Sequence, residues 1–119
     1  VNSPAQKACV AALTGPQDCV EEMRQEYDRR RKIMLAGLQA IPGLEIPPCE
    51  GAFYYMPRFS HKTTSKQLTA DLYEDGILVR SGTEFGDNAE SHIRLSFAYV
   101  TVPELEPGMQ RLKEALANK

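Results

Sequence analysis

Apolar and polar side chains alternate along residues 92–98, and this alternation predicts a β-strand. Ile93, Leu95 and Phe97 share one face of the strand. Arg94 lies on the opposite face, among small or polar residues. We therefore expect the first face to contribute to the core and Arg94 to lie outside it.

Apolar residues at spacings of three, four and seven predict four helices, over residues 4–13, about 17–41, 65–74, and from 101 to the chain end. Asn2 and Ser3 precede the first helix, and Ser3 is a candidate N-cap. The second helix has a stripe formed by Val20, Met23, Tyr27, Met34, Leu38 and Ile41. It would be roughly 35 Å long at 1.5 Å per residue, so we expect part of it to contact something outside this chain.

Three further short segments, 44–46, 52–56 and 77–80, are predicted strands, and Pro57 is expected to end the second of them. Within 52–56, Tyr54 and Tyr55 should point to opposite faces. The fold class that follows is α+β: a small, mostly antiparallel sheet packed against helices, with a long N-terminal helical segment.

The composition of the chain argues against several classes of protein. The 119 residues suffice for one core, and their net charge of -2 argues against a dedicated nucleic-acid binder. No apolar run approaches the roughly 18 residues of a membrane helix. Three cysteines without metal-type spacing favour a reducing, cytoplasmic setting and no metal site, and Cys9, among small residues, is expected to be buried.

The residues alone leave Arg94 with two interpretations. A guanidinium fixed on a strand presents a planar fork of donors that matches a carboxylate, which would make Arg94 an anion clamp. Half-exposed strands also carry charged residues on their solvated face without any function. Alternation does not distinguish these two possibilities.

Six short segments follow one another along the chain: NSPAQ at 2–6, LTGPQD at 13–18, IPGL at 41–44, EGAFY at 50–54, GTEFG at 82–86 and IRLSFA at 93–98. In this order and approximate spacing they closely resemble the class I/II aminotransferases of the fold type I pyridoxal-phosphate group, in particular those like aspartate aminotransferase. The resemblance covers essentially the whole chain.

The resemblance implies that residues 1–16 are the end of a large domain or an interface helix, and that residues 17–119 are the C-terminal small domain. It implies that Arg94 grips the substrate α-carboxylate in an enzyme that uses pyridoxal 5'-phosphate to transfer an amino group between an amino acid and a 2-oxo acid. None of the six lysines stands in the context of the family's Schiff-base lysine. We therefore expect a part of a homodimeric enzyme, not catalytic alone and binding no cofactor without the missing large domain.

Several residues near these motifs have open roles. Arg80 stands where the family commonly has another residue, and it either contacts an acidic substrate side chain or is simply exposed at a strand end. Phe85 either lines the substrate mouth or packs into the core, with packing slightly favoured. Asn2 and Ser3 match a segment near the subunit interface in related enzymes, although helix capping also explains Ser3.

A stand-alone small-molecule-binding or regulatory α+β module is the alternative function. Such a module should have a polar exterior, whereas part of an aminotransferase should expose apolar surface on its first helix and its long helix.

Overall fold

The computed structural model describes residues 1–119 and contains four α-helices and five short β-strands. In chain order these are α1 (Ser3–Thr14), α2 (Asp18–Gln39), β1 (Leu44–Glu45), β2 (Tyr54–Tyr55), β3 (Arg58–Phe59), α3 (Ser65–Glu74), β4 (Arg80–Ser81), β5 (Ile93–Ser96) and α4 (Val102–Ala117). Two 3-10 turns, Gly82–Glu84 and Asp87–Ala89, connect β4 to β5. None of the helices combines the length and the apolar composition needed to cross a bilayer.

The strands pair antiparallel in two small groups. One has the order β2-β5-β4, in which Tyr54 lies opposite Ser96 and Arg80 lies opposite Arg94. The other pairs β1 with β3. This small antiparallel sheet with helices packed against it confirms the predicted α+β class.

The core lies between the sheet and the helices α2, α3 and α4. Its fifteen buried apolar residues are Met34, Leu38, Ile41, Tyr55, Phe59, Leu68, Leu72, Val79, Ile93, Leu95, Phe97, Leu105, Leu112, Ala115 and Leu116. The predicted inward face of the strand at 92–98 is therefore confirmed. Of the two adjacent tyrosines, Tyr55 is buried and Tyr54 is half-buried, as alternation requires.

The start of α2 does not pack against this core, and contact begins at the half-buried Tyr27. Met34 and Leu38 are buried, whereas Val20 and Met23 are 52% and 55% exposed although they belong to the same apolar stripe. The predicted charge pairs along the helix form, for example between Glu26 and Arg30 at 2.7 Å. Together with α1, which has no buried residue, the first half of α2 leaves apolar side chains in solvent.

Asp28 is the most heavily paired acid on α2. Its carboxylate lies 2.6 Å from the Lys32 ammonium and 2.7 Å from the Arg31 guanidinium. Hydrogen bonds from Lys32 and Arg31 lower the pKa of Asp28 to about 2, below its ordinary 3.8. The carboxylate is half-buried at the helix surface, so solvent still screens much of this interaction.

The structure corrects two local predictions in α1. Asn2, not Ser3, is the N-cap, because the Asn2 side chain accepts a hydrogen bond from the Ala5 N–H at 2.9 Å. Cys9 is exposed rather than buried, because nothing within the chain packs on its helix.

The predicted strands are shorter than expected for physical reasons. Ala52 has φ +58°, which is incompatible with a strand, so β2 contains only Tyr54–Tyr55. The Ile77 N–H donates to the Leu72 carbonyl at the end of α3 instead of to a strand, and β4 starts only at Arg80. The strand β2 ends before Pro57, as expected, and a further strand that was not predicted, β3, follows directly after this proline.

Candidate functional site

Arg94 lies on the face of the sheet opposite the core. Its neighbours Ile93 and Leu95 are buried, and successive side chains of a strand point to opposite faces. Residues directly opposite each other in an antiparallel pair share a face. The outer face of the sheet therefore carries Arg94 beside Arg80, with Tyr54 on the other neighbouring strand.

Two aromatic rings enclose the guanidinium of Arg94. Its central carbon lies 4.2 Å from the ring centroid of Tyr54 and 3.9 Å from that of Phe85. Phe85 follows the first 3-10 turn and is 45% exposed. The slightly favoured expectation that Phe85 packs into the core is wrong, because its ring covers Arg94 on the outside of the sheet.

Arg80 has a partner within the chain. Its guanidinium forms a salt bridge with Glu84, four residues later, and its side chain is exposed. The hydrogen bond from Arg80 holds the pKa of the Glu84 carboxyl below its ordinary value, with a smaller contribution from the positive charge of Arg94. Glu84 therefore stays ionised and neutralises Arg80.

Arg94, by contrast, has no carboxylate of the chain within ion-pair distance. Cation–π contact with a ring does not use the N–H groups of the guanidinium, which lie in the plane of the group. A half-buried cation with an uncommitted fork of donors is chemically suited to bind one carboxylate through two parallel hydrogen bonds.

A chain of hydroxyl groups supports the turn that carries Phe85. The buried Ser65 and Ser81 hydroxyls are 2.7 Å apart, and Ser81 is 2.8 Å from the Thr83 hydroxyl. The Ser65 N–H also donates to the Glu90 carboxylate at 2.8 Å, which ties the start of α3 to the second 3-10 turn. These bonds hold the segment between β4 and β5 against the body of the fold.

Asn2 and Ser3 are exposed at the start of α1. Asn2 is occupied in capping the helix, and no residue of α1 is buried. A role of these two residues at an interface stays a prediction.

The lysines do not build a cofactor pocket. All six are exposed, and two of them, Lys32 and Lys119, pair with Asp28 and Asp75. No group of three or more His, Cys, Asp or Glu side chains is arranged to hold a metal ion.

A comparison with protein families identifies the family of this chain. The family model described as aminotransferase class I and II matches residues 1–112. The chain belongs to this family. Aspartate aminotransferase of Pyrococcus horikoshii is 34% identical over 120 residues, covering 98% of this chain and 30% of that protein. LL-diaminopimelate aminotransferase of Halothermothrix orenii is 30% identical and covers 92% of this chain and 28% of that protein.

Solved aminotransferase structures share this fold. An alanine aminotransferase from Pyrococcus furiosus superposes with a TM-score of 0.90 at 30% identity, covering 99% of this chain and 30% of its own. An aromatic aminotransferase from Pyrococcus horikoshii gives a TM-score of 0.85 at 37% identity, over 95% of this chain and 31% of its own. This aminotransferase chain thus spans less than a third of the length of the relatives it matches.

The sequence pattern singled out Arg94 as a candidate but did not predict the contact of Tyr54 with Arg94 or the pairing of Glu84 with Arg80. The spacing of Arg80 and Glu84 could have suggested their pairing. The contact between Tyr54 and Arg94 depends on the strand order β2-β5-β4, which no sequence pattern contained.

Proposed function

We propose that this chain supplies the substrate carboxylate clamp of an aminotransferase that moves an amino group between an amino acid and a 2-oxo acid. The observation that carries the proposal is the uncommitted, half-buried fork of Arg94 between two rings. A bidentate grip on the α-carboxylate fixes both the position and the orientation of the amino acid, which a lysine would not do.

In this proposal residues 17–119 form the C-terminal small domain, and residues 1–16 end the large domain or lie at the subunit interface of a homodimer. Support comes from the apolar side chains that the chain leaves uncovered in this region. Val10 and Leu13 on α1 are 61% and 81% exposed, and Val20 and Met23 on α2 are more than half exposed. These uncovered apolar side chains favour coverage by further polypeptide over an autonomous module.

Pyridoxal 5'-phosphate, held by residues outside this chain, would supply the electron sink for loss of the substrate Cα proton. The part of Arg94 is to bind and orient the substrate. The cation–π contacts with Tyr54 and Phe85 leave the N–H donors of the guanidinium available to the carboxylate.

The test is substitution of Arg94 in the full-length enzyme that contains this chain. Truncating one partner of a hydrogen-bonded charge pair costs about 2–5 kcal/mol, so Arg94→Ala should lower kcat/KM by roughly 30-fold or more. Arg94→Lys should have a kcat/KM between those of Arg94→Ala and the wild type, because it keeps the charge and loses the bidentate geometry. The matched control is Arg58→Ala, an exposed strand arginine paired with Glu45.

The cofactor absorption band should be unchanged in both Arg94 variants. Loss of cofactor with retained substrate affinity would show that the role assigned to Arg94 is wrong. For the 119-residue chain alone, added pyridoxal phosphate should give no stoichiometric band that responds to an amino acid. Micromolar binding of an amino acid by this chain alone would instead favour the autonomous module.

A further inference from the structure

The arrangement of rings around Arg94 is unusual among the arginines of this chain. Five of the eight form a salt bridge within the chain: Arg24, Arg30, Arg31, Arg58 and Arg80. Arg94 is half-buried and lacks such a partner, and it alone contacts two rings. Arg30 also approaches a ring, that of Tyr27 at 5.8 Å, but only one.

The two rings restrict the guanidinium without neutralising it. Each ring face attracts the cation electrostatically, and the two contacts together restrict the movement of the guanidinium. Neither ring competes for the N–H donors at the edge of the group. A free arginine side chain would lose several rotamers on gripping a carboxylate, and a sandwiched one has already lost them.

Both rings are themselves held in place. Tyr54 lies on β2, and its ring contacts that of Phe53 at a centroid distance of 4.6 Å. The Phe85 N–H donates to the Gly82 carbonyl at 2.9 Å and closes the first 3-10 turn. The two rings that contact the guanidinium thus belong to two separate elements, the strand β2 and the turn after β4.

We propose that Tyr54 and Phe85 are positioning residues that pre-orient the Arg94 guanidinium, so that its edge meets the substrate carboxylate in the plane of the group. This inference rests on the proposed clamp function of Arg94. It adds two residues that act through the arginine and not on the substrate. Removing either ring should therefore weaken carboxylate binding when residue 94 is an arginine, whose guanidinium is planar, and not when it is a lysine.

A double-mutant cycle in the full-length enzyme tests this dependence. The variants are Phe85→Leu and Tyr54→Leu, each made with Arg94 and again with Arg94→Lys. Propionate is the probe, measured as a competitive inhibitor against the amino donor. With Arg94 present, each leucine variant should weaken propionate by about two- to fivefold, the scale of one cation–π contact at an exposed site.

With Arg94→Lys the same ring removals should change the propionate inhibition constant by less than about 1.5-fold, because an ammonium has no plane to orient. Phe85→Tyr and Tyr54→Phe keep the rings and should restore the wild-type inhibition constant. Tyr99→Leu, which removes a 99% exposed ring away from the sandwich, is the matched control. Melting temperatures check that each variant is folded.

A spectroscopic readout reports the sandwich directly. The Nε–Hε signal of Arg94, identified by its loss in Arg94→Lys, lies between two ring faces and should be shifted upfield by their ring currents. Phe85→Leu and Tyr54→Leu should each move this signal downfield, and Tyr99→Leu should not.

The outcomes separate the two proposals. If Arg94→Lys weakens propionate but the leucine variants bind it as wild type does, the clamp stands and the positioning role is overturned. If the ring removals are equally harmful beside a lysine, the rings act structurally or touch the ligand, and the positioning role is again overturned. If Arg94→Lys leaves propionate binding unchanged, the clamp itself fails and the inference falls with it.

Discussion

Gly82 is the residue on which the position of the turn carrying Phe85 depends, and replacing it by alanine should disturb both stability and the site. A Cβ at Gly82 would lie 2.1 Å from the Ala89 carbonyl oxygen and 2.6 Å from the His92 carbonyl oxygen. Both are backbone atoms, so the clash is relieved only by moving the turn or the start of β5. The Gly82 N–H also donates to the His92 carbonyl at 2.8 Å, and that bond must lengthen as the turn moves.

The expected loss of stability follows from these distances. Adding a methyl group to a close-packed site costs about 1–3 kcal/mol through backbone shifts. Weakening one buried hydrogen bond adds up to about 1 kcal/mol. We therefore expect Gly82→Ala to lower the free energy of unfolding by roughly 1–4 kcal/mol. Since Phe85 closes the same turn, the Arg94 Nε–Hε signal should also move.

Gly108 supplies the matched control. It lies inside α4, and nothing comes within 4 Å of a Cβ built on it. Gly108→Ala should therefore raise the free energy of unfolding by about 0.5–1 kcal/mol, the ordinary helix preference for alanine. Urea unfolding of the wild type and both variants measures the difference. If Gly82→Ala is as stable as the wild type and the arginine signal stays in place, the turn tolerates a side chain and the assigned cause is wrong.

Two further predictions concern charges. Glu84→Gln removes the anion that neutralises Arg80 and acts more weakly on Arg94, so the full-length enzyme should bind succinate more tightly and propionate by a smaller factor; equal effects on both inhibitors would contradict this. Asp28 has its pKa lowered to about 2 by Lys32 and Arg31, so it adds stability above pH 3.8 that is lost as the pH falls through 2. Asp28→Asn should accordingly lose less stability than the wild type between pH 4.5 and 2.5, measured as urea midpoints, and an identical loss would contradict the assignment.

Sequence patterns correctly predicted the elements whose structure depends only on residues nearby in the chain. The alternation at 92–98 placed Ile93, Leu95 and Phe97 in the core, because a strand with one buried face must alternate. The helix at 65–74 began and ended as expected, because Thr64 caps it and its apolar residues recur at helical spacing. Such features need no knowledge of the rest of the fold.

The remaining features depend on partners that are distant in the chain. β3 forms after Pro57 because Phe59 pairs with Leu44, fifteen positions earlier, and a proline at a strand boundary does not prevent this. Val20 and Met23 read as part of one apolar stripe with Leu38, yet only Leu38 meets the core. The stripe predicts that a surface is apolar but not which polypeptide covers it.

The charge balance on the outer face of the sheet explains why one of its two arginines is suited to a ligand and the other is not. Arg80 and Arg94 lie directly opposite each other, and like charges in that position repel. Glu84 relieves the repulsion by neutralising Arg80.

Arg94 is stabilised in a different way, by ring faces that offset its partial burial and leave its charge and its donors unused. A second carboxylate supplied by the protein would have given a more stable sheet and no binding site. The site therefore depends on the absence of an acidic partner beside Arg94 as much as on the arginine itself. Introducing a carboxylate beside Arg94 should abolish carboxylate binding as completely as removing the arginine does.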